Sequence, residues 1–320
     1  MRVFSSSREA AGKLRSPAVA VGNFDGVHRG HQELFARARE LAGPRGEVVA
    51  LTFWPHPARL FNPDLAPPLI TTQEQKLARL ADCGLDAVVV EPFDREFAAL
   101  SPEAFAREIL AGCLAASHVI VGHGFRFGAR KAGGLSTLEE LGDELGFQGH
   151  GISTVRVSSI AVSSTKIREF ILLGRVGGAS LLLGRDYLVE GQVVPGKRRG
   201  RTIGIPTANV DPVNEVLPKR GVYAGWARLP DGQVLKSVIN IGTNPTFEKA
   251  AVMTLEAHLL DFEGDLYDKR LGVYFTQRLR DEQRFTSVDE LVAAIHSDIA
   301  DARELLREPA LVLPRIAAAG

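Results

Sequence analysis

The sequence predicts an α/β domain built on a parallel sheet, followed by an antiparallel β-barrel with a terminal helix. The chain has 320 residues, which is too long for one small core and suits two domains. Short apolar runs alternate with helical patterns up to about residue 184. Beyond that point, strand-like runs follow one another with only turns and loops between them. We therefore place the two domains at residues 1–184 and 185–308.

In the first domain, the strand candidates are apolar runs without polar alternation, a pattern typical of strands buried on both faces. They lie at residues 18–21, 48–53, 87–90, 119–121 and 152–157. Helical patterns lie between these strands at residues 32–41, 73–81 and 103–114. Ser101 and Pro102 form a typical helix start before the last of them. The alternation predicts a parallel sheet covered by helices.

In the second domain, turn residues such as Pro195-Gly196 separate the strand candidates. These candidates lie at residues 187–194, 222–229, 234–241, 254–260 and 271–277. The segment 288–306 has apolar residues at helical spacing, and we expect it to cap the barrel.

The amino-acid composition argues against several classes of protein. Lys plus Arg and Asp plus Glu both total 38, and a net charge of zero argues against a nucleic-acid partner. Cys83 and Cys113 are far apart in sequence, so neither a disulfide framework nor a zinc ribbon is expected. The polar N-terminus and the lack of a long apolar run predict a cytoplasmic protein without a membrane segment. The sequence leaves a homo-oligomer open.

The first candidate site follows the strand at residues 18–21, where the chain reads GNFDGVHRGH over residues 22–31. A glycine-rich turn after a parallel strand lets backbone amides approach a phosphate, and the helix N-terminus favours its charge. His28 and His31 would share one face of the first helical turn and donate hydrogen bonds to a reacting phosphate. The alternatives are two exposed turn residues or two metal ligands. We predict His28 and His31 as catalytic, with nucleotide binding by Gly22, Asn23, Phe24, Asp25 and Gly30.

This segment resembles the first signature of the HxGH nucleotidyltransferase superfamily, in the form found in bacterial bifunctional riboflavin kinase/FAD synthetases. The superfamily's second signature, a Ser-Ser-Thr-x-x-Arg turn, is similar to residues 163–168. The resemblance implies a Rossmann-like nucleotidyltransferase domain that adenylylates FMN to FAD and releases pyrophosphate. It also implies that the β- and γ-phosphates of ATP are held by Ser163, Ser164, Thr165 and Arg168. Taken alone, Ser-Ser-Thr is an ordinary helix cap.

One family motif is altered in this sequence. The family usually has Gly-x-Asp/Asn-Phe-x-Phe-Gly after the strand at 119–121, followed by Gly-Asp or Gly-Asn. Here Phe125 and Phe127 are kept, and the resemblance implies that they bind the nucleotide or flavin. Gly124 and Gly134 replace the two polar side chains. The alternative function is therefore a riboflavin kinase whose first domain is a weak or inactive adenylyltransferase, serving as a nucleotide-binding or assembly module.

The second candidate site lies in GQVVPG at residues 191–196 and GRTIGIPTAN at residues 200–209. Glycines at this density permit close approach of a nucleotide. Thr207 and Asn209 face the same side of an extended chain, and their oxygens suit Mg²⁺ shared with ATP phosphates. The alternative is a hairpin loop with solvated Thr and Asn side chains.

About 120 residues of the second half, including this segment, resemble the flavokinase module. The resemblance implies a flavokinase β-barrel that phosphorylates riboflavin with Mg²⁺ and ATP, giving FMN and ADP. Glu256 matches the family's general base, and its apolar neighbours lead us to expect an inward carboxylate. The implied binding residues are Gly196, Lys197, Gly200, Arg201, Pro206, Thr207, Asn209 and Asn244, with Thr207 and Asn209 as metal ligands.

Overall fold

The six strands of the first sheet all run parallel, as expected for strands alternating with helices. The structure is a computed structural model and describes residues 1–196, 203–244 and 252–310. The strand order is β1-β4-β3-β2-β5-β6. The strands are β1 Arg2–Phe4, β2 Ala18–Val21, β3 Val48–Trp54, β4 Ala87–Pro92, β5 His118–Gly122 and β6 Gln148–Ile152.

The order of the strands reverses at β2. From β2 the chain moves through β3 to β4 on one side, and then returns to β5 on the other side. In open parallel sheets, ligands bind beyond the carboxyl ends of the strands at such a switch point. The segment that begins at Gly22 after β2 and the segment that begins at His123 after β5 therefore start at the edge where a ligand site is expected.

Both faces of this sheet are buried, because successive residues of the central strands alternate between two apolar cores. Val19 and Val21 belong to one core, and Ala18 and Ala20 belong to the other. The helices between the strands are α1 Ser7–Ala10, α2 Arg29–Ala42, α3 Pro57–Phe61, α4 Gln73–Asp82, α5 Arg95–Ala98, α6 Pro102–Ala104, which continues as a π-helix over Phe105–Cys113, and α7 Leu135–Leu145. A two-stranded ribbon follows, with β7 Arg156–Val157 and β8 Ile160–Ala161.

The second sheet closes into an antiparallel barrel in the order β10-β13-β12-β11-β14-β9. Its strands are β9 Tyr187–Val194, β10 Ala208–Pro212, β11 Gly221–Arg228, β12 Val234–Asn244, β13 Val252–Leu259 and β14 Arg270–Arg280. Two helices precede the barrel and one follows it, namely α8 Ser164–Leu172, α9 Val176–Leu183 and α10 Val288–Leu305. The predicted fold class is confirmed in both parts.

Two ion pairs attach α10 to the barrel. Asp298 is buried and accepts hydrogen bonds from the Arg280 guanidinium, with Nε and Nη2 distances of 2.9 and 2.8 Å. Arg303 pairs with Asp261 through two further hydrogen bonds of 2.9 and 2.7 Å. The acidic and basic residues of α10 therefore hold the helix in place.

The contacts divide the described residues into two units. One comprises Met1–Pro68 and Gln73–Ser163, and the other comprises Leu69–Thr72 and residues 164–310. Within the second unit, the Leu69 N–H donates to Glu215 at 2.8 Å, and the Asn214 side-chain amide donates to the Ile70 carbonyl at 3.5 Å. A short piece from early in the chain thus completes this unit. The domain limits 1–184 and 185–308 stay predictions.

One strand prediction was wrong, and several strands were missed. The strand expected at 152–157 is β6 at Gln148–Ile152, and Arg156–Val157 belong to the two-stranded ribbon. β1 and β10 were not predicted, because three residues at a sheet edge and the sequence ANVDP carry no apolar run. Among the helices of the described segments, none is long and apolar enough to cross a membrane.

Candidate functional site

The turn that follows β2 has an unusual backbone. Phe24 and Val27 have φ angles of 51° and 42°, values that residues other than glycine rarely adopt. Phe24 is fully buried and packs against Phe35 and His31, with ring centroids 5.0 and 5.1 Å apart. A strained turn persists only when its surroundings hold it. The packing of the buried Phe24 ring stabilises this turn.

His28 and His31 cap the start of α2 reciprocally. The Nδ1 atom of each ring accepts from the backbone N–H of the other residue at 3.3 Å, and the rings stack with centroids 3.5 Å apart. A neutral imidazole that accepts at Nδ1 carries its proton on Nε2. Gly30 leaves room for this stack, because a Cβ there would lie 3.2 Å from the His28 ring. The capping therefore uses the Nδ1 atoms of both rings and, in the neutral form, places both ring protons on Nε2.

Lys76 on α4 is a member of this site that the sequence analysis missed. Its side chain is 6% exposed, and its ammonium lies 3.3 Å from the Thr52 hydroxyl and 3.5 Å from the Asn23 carbonyl. Burial lowers its pKa to about 8, against the opposing effect of Asp25. A lysine on a helix ordinarily faces solvent, so the sequence carries no signal for this position.

Beside the turn lies a cleft of about 1330 Å³ that includes Gly22 and Asn23. Arg95, Arg126 and Lys131 add positive charge to its wall. The size, flat apolar surfaces and basic groups suit an aromatic ligand that carries a phosphate. The aromatic part of the wall consists of Phe53, Phe61, Phe93, Phe97, Phe105, Phe125 and Phe127.

Two of those rings were predicted from the sequence. Phe125 and Phe127 follow β5 and stack with centroids 5.7 Å apart and an interplanar angle of 17°. Phe127 is anchored by paired backbone hydrogen bonds with Gly133 of 3.1 and 2.9 Å. The other five phenylalanines come from separate elements, so no local motif identifies them.

The predicted second signature lies at the start of α8, which begins at Ser164. Ser163, Ser164 and Arg168 are half-buried, and Thr165 is exposed. The contacts place Ser163 in the first unit and the other three residues in the second. Their role in holding ATP phosphates stays a prediction.

In the barrel, three polar residues are in register across adjacent strands. Asn209 on β10 lies opposite Glu256 on β13, and Glu256 lies opposite Asn240 on β12. Leu255 and Ala257 are buried, whereas Glu256 between them is half-buried and faces the other side of the sheet. The expectation that its apolar neighbours turn Glu256 inward was therefore wrong, because the strand alternates.

A second pocket of about 400 Å³ is lined by Pro206 and Thr207 together with residues 262–267. His258 Nδ1 donates to the Pro206 carbonyl at 2.7 Å and holds this segment. Gly196 leaves room for the Asn209 amide, since a Cβ there would lie 2.2 Å from its Nδ2 atom. Four predicted binding groups lie outside the described residues, namely Lys197, Gly200, Arg201 and the Asn244 side chain.

Thr207 and Asn209 supply a hydroxyl and an amide oxygen, both half-buried. Within the described segments, no group of three or more His, Cys, Asp or Glu side chains could hold a metal ion. Two neutral oxygens do not make a closed site, but they fit Mg²⁺ that also takes oxygens from phosphates and water. The donor set therefore fits a metal that arrives with a nucleotide.

Comparisons with protein-family models identify both parts of the chain. Residues 11–166 match the model for FAD synthetase, and residues 183–306 match the model for riboflavin kinase. The chain is 40% identical over 295 residues to a bifunctional riboflavin kinase/FMN adenylyltransferase of Escherichia coli K12, covering 91% of this chain and 94% of the relative. The protein of the same description from Bacillus subtilis is 34% identical over 290 residues, covering 89% and 90%.

A solved structure shows the same fold over nearly the whole chain. It is a protein of Streptococcus pneumoniae described as a macrolide-efflux protein, with a TM-score of 0.83 and 29% identity. The match covers 95% of this chain and 99% of that one.

Proposed function

The chain belongs to the family of bifunctional riboflavin kinase/FMN adenylyltransferases, and we propose how its residues divide the two activities. The enzyme phosphorylates riboflavin to FMN with ATP and adenylylates FMN to FAD. In our proposal, residues 1–184 form the adenylyltransferase domain and residues 185–308 form the kinase domain. The positions of the two family matches, 11–166 and 183–306, support this division.

For adenylyl transfer, we propose that the flavin binds in the phenylalanine-lined cleft beside the turn after β2. An oxygen of the FMN phosphate bonds to the α-phosphorus of ATP, and the bond from that phosphorus to the β-phosphate breaks. Pyrophosphate leaves, and no base is needed because the FMN phosphate is already an anion. His28 and His31 would donate from Nε2 to the charge that grows on the reacting phosphate. Their reciprocal capping is the observation that carries this proposal.

For the kinase, we propose Glu256 as the base that takes the proton of the riboflavin 5′-hydroxyl as that oxygen attacks the γ-phosphate. ADP is the leaving product. Thr207 and Asn209 would hold Mg²⁺, which neutralises phosphate charge when it is bound with ATP. The register of Asn209 opposite Glu256 supports one site for the nucleotide and the base.

The test is product analysis by chromatography after purified protein receives riboflavin, ATP and Mg²⁺. We expect riboflavin to disappear, FMN to rise transiently and FAD to accumulate. Accumulation of FMN without FAD would instead favour the weak or inactive first domain that Gly124 and Gly134 suggested. The matches to bifunctional relatives over about nine-tenths of the chain favour the two-activity outcome.

We also propose that the protein works in the cytoplasm, without a membrane or nucleic-acid partner. Its two cysteines, Cys83 and Cys113, are free thiols, which agrees with a reducing compartment. The balanced formal charge of zero agrees with ligands bound at local sites rather than with a polyanion bound along a surface.

A further inference from the structure

Lys76 carries a buried ammonium group in the first unit. Its helix, α4, also buries Gln75, Arg79 and Leu80, and Arg79 is paired with Asp82 at 2.7 Å. Burial is the main cause of the lowered pKa of Lys76, which is about 8. Burying a charge is unfavourable unless specific partners compensate for the lost water. The contacts of Lys76 should therefore show what compensates for its buried charge.

Those contacts converge on one peptide group. The Lys76 ammonium donates to the Thr52 hydroxyl at 3.3 Å, and that hydroxyl donates to the Asn23 carbonyl at 3.1 Å. The ammonium also lies 3.5 Å from the same carbonyl. Thr52 has no exposed surface, so its hydroxyl is shielded from bulk water. Lysine and threonine together fix the direction of the Asn23 carbonyl.

The fixed carbonyl belongs to the peptide that leads into the strained residue. Phe24, the next residue, has a φ of 51°, and Val27 further along the turn has a φ of 42°. In a planar peptide the C=O and N–H point in opposite directions, so holding the Asn23 oxygen also sets the direction of the Phe24 N–H. The turn then ends at His28, the cap of α2.

We propose that Lys76 is a positioning residue for adenylyl transfer, which holds the turn after β2 through the Asn23 carbonyl so that His28 and His31 face the reacting phosphate. The inference rests on the proposed adenylyl-transfer site. Protonated Lys76 is the donating form. The groups that face it are Asp25 on the turn, and the uncharged Thr52 and Trp54 on β3, with the Trp54 ring 5.8 Å away.

The first experiment compares Lys76→Met with Lys13→Met, a matched change at an exposed lysine of the same unit. Both activities are measured on the same protein, so riboflavin phosphorylation is an internal control. We expect Lys76→Met to lower kcat for FAD formation by about 10- to 100-fold, the size of effect that small misplacement of catalytic groups causes. We expect KM for FMN and ATP to stay within about threefold, since Lys76 acts through the turn rather than on the substrates.

Thermal unfolding separates positioning from general stabilisation. Methionine removes a buried charge, and the Asn23 carbonyl keeps its hydrogen bond from Thr52, so Lys76→Met should unfold at the same temperature or higher. Unchanged FAD formation in Lys76→Met would overturn the proposal. A fall in FAD formation accompanied by a lower unfolding temperature would overturn it as well, because Lys76 would then act as an ordinary stabilising residue.

Two further measurements keep the proposal testable if Lys76→Met does not fold. Thr52→Val removes the intermediate hydroxyl and should lower FAD formation by a smaller factor, about 3- to 10-fold, with FMN formation intact. In the unmodified protein, the ratio of FAD to FMN formation should fall above about pH 8, where Lys76 loses its proton. A Thr52→Val enzyme with normal FAD formation, or a ratio that does not change with pH, would contradict the role.

The failure of this inference is distinguishable from the failure of the proposed site. If His28→Ala abolishes FAD formation while Lys76→Met leaves it intact, only the role of Lys76 is wrong. If His28→Ala leaves FAD formation intact, the site itself is wrong.

Discussion

Asn209 and Glu256 lie directly opposite each other on neighbouring antiparallel strands of the barrel. Opposite residues of an antiparallel pair point to the same face, so the amide and the carboxylate are neighbours. Glycine at position 196 leaves the space that the Asn209 amide occupies. The pairing places a candidate base beside a candidate metal ligand, as phosphoryl transfer from a metal–ATP complex to a hydroxyl requires.

The first prediction concerns this pair. Glu256→Gln keeps the shape of the side chain but cannot accept the proton of the riboflavin hydroxyl. We expect FMN formation to fall by about 10²- to 10⁴-fold, the usual contribution of a general base. FAD formation from supplied FMN should not change, and it serves as the control. A Glu256→Gln enzyme with normal FMN formation would remove Glu256 from the mechanism.

The second prediction concerns the histidine pair. Replacing His28 and His31 together with alanine removes both Nε2–H donors, and FAD formation should fall by at least about 10²-fold. The same change removes the cap of α2, so we also expect a loss of roughly 1 kcal/mol in stability. Riboflavin phosphorylation, followed by chromatography on the same samples, should be spared. Equal loss of both activities would contradict two separate sites.

The third prediction concerns the two glycines that replace polar residues of the family motif. A Cβ at Gly134 would lie 2.9 Å from the flexible end of Arg126, which can move and pair with a new carboxylate. Gly124 has open space around it but a φ of 76°, so a side chain there strains the backbone by about 1–2 kcal/mol. We expect Gly134→Asp to raise FAD formation several-fold at nearly unchanged unfolding temperature. Gly124→Asp should unfold at a lower temperature.

A decrease of FAD formation in both variants would show that the glycines suit this enzyme's own site. The measurement is the initial rate of FAD formation from FMN and ATP, with riboflavin phosphorylation as the control.

The fourth prediction is a pH dependence of stability. Burial lowers the pKa of Lys76 from 10.5 to about 8, so between these values the unfolded chain binds more protons than the folded one. The contribution of Lys76 to the free energy of unfolding therefore rises from about pH 8 to pH 10.5. Lys76→Met should lack this rise. Urea unfolding at pH 7 and pH 10 measures it, and identical pH curves for the two proteins would contradict the lowered pKa.

The fifth prediction compares the two ion pairs of α10. Asp298 is buried, so Asp298→Ala leaves Arg280 without its carboxylate and should cost about 3 kcal/mol. Asp261→Ala removes the exposed partner of Arg303 and should change stability little. Denaturant unfolding of the two variants makes the comparison. Equal losses would mean that burial does not distinguish the two pairs.

The sequence predicted the elements that carry strong local patterns. Apolar runs identified the central strands β2, β3, β4 and β5, which are buried on both faces. The edge strands were not predicted correctly, because a strand with only one neighbouring strand needs fewer apolar residues. β6 has the sequence QGHGI, and β1 has only three residues. Their pairing partners, which lie far away in the chain, make them strands.

The candidate sites divide in the same way. His28, His31, Phe125 and Phe127 stand in short motifs, and the structure brings both phenylalanines to the cleft beside the turn. Lys76 stands in an ordinary helical pattern, and only the packing of α4 shows its contact with Asn23. A residue that reaches a site only through tertiary packing is not predicted by any local sequence pattern.

The membership of Leu69–Thr72 in the second unit bears on how the two activities could be separated genetically. Ile70 is completely buried there, and its carbonyl accepts from the Asn214 amide. Leu69 and Thr71 are buried as well, so this segment is part of the core of that unit. A gene fragment that begins at codon 185 would encode a barrel missing this piece. Suppose that two related enzymes exchange their kinase halves by a single crossover. Each barrel would then be combined with residues 69–72 of the other parent. Recombination should be tolerated best when residues 69–72 come from the same parent as the barrel.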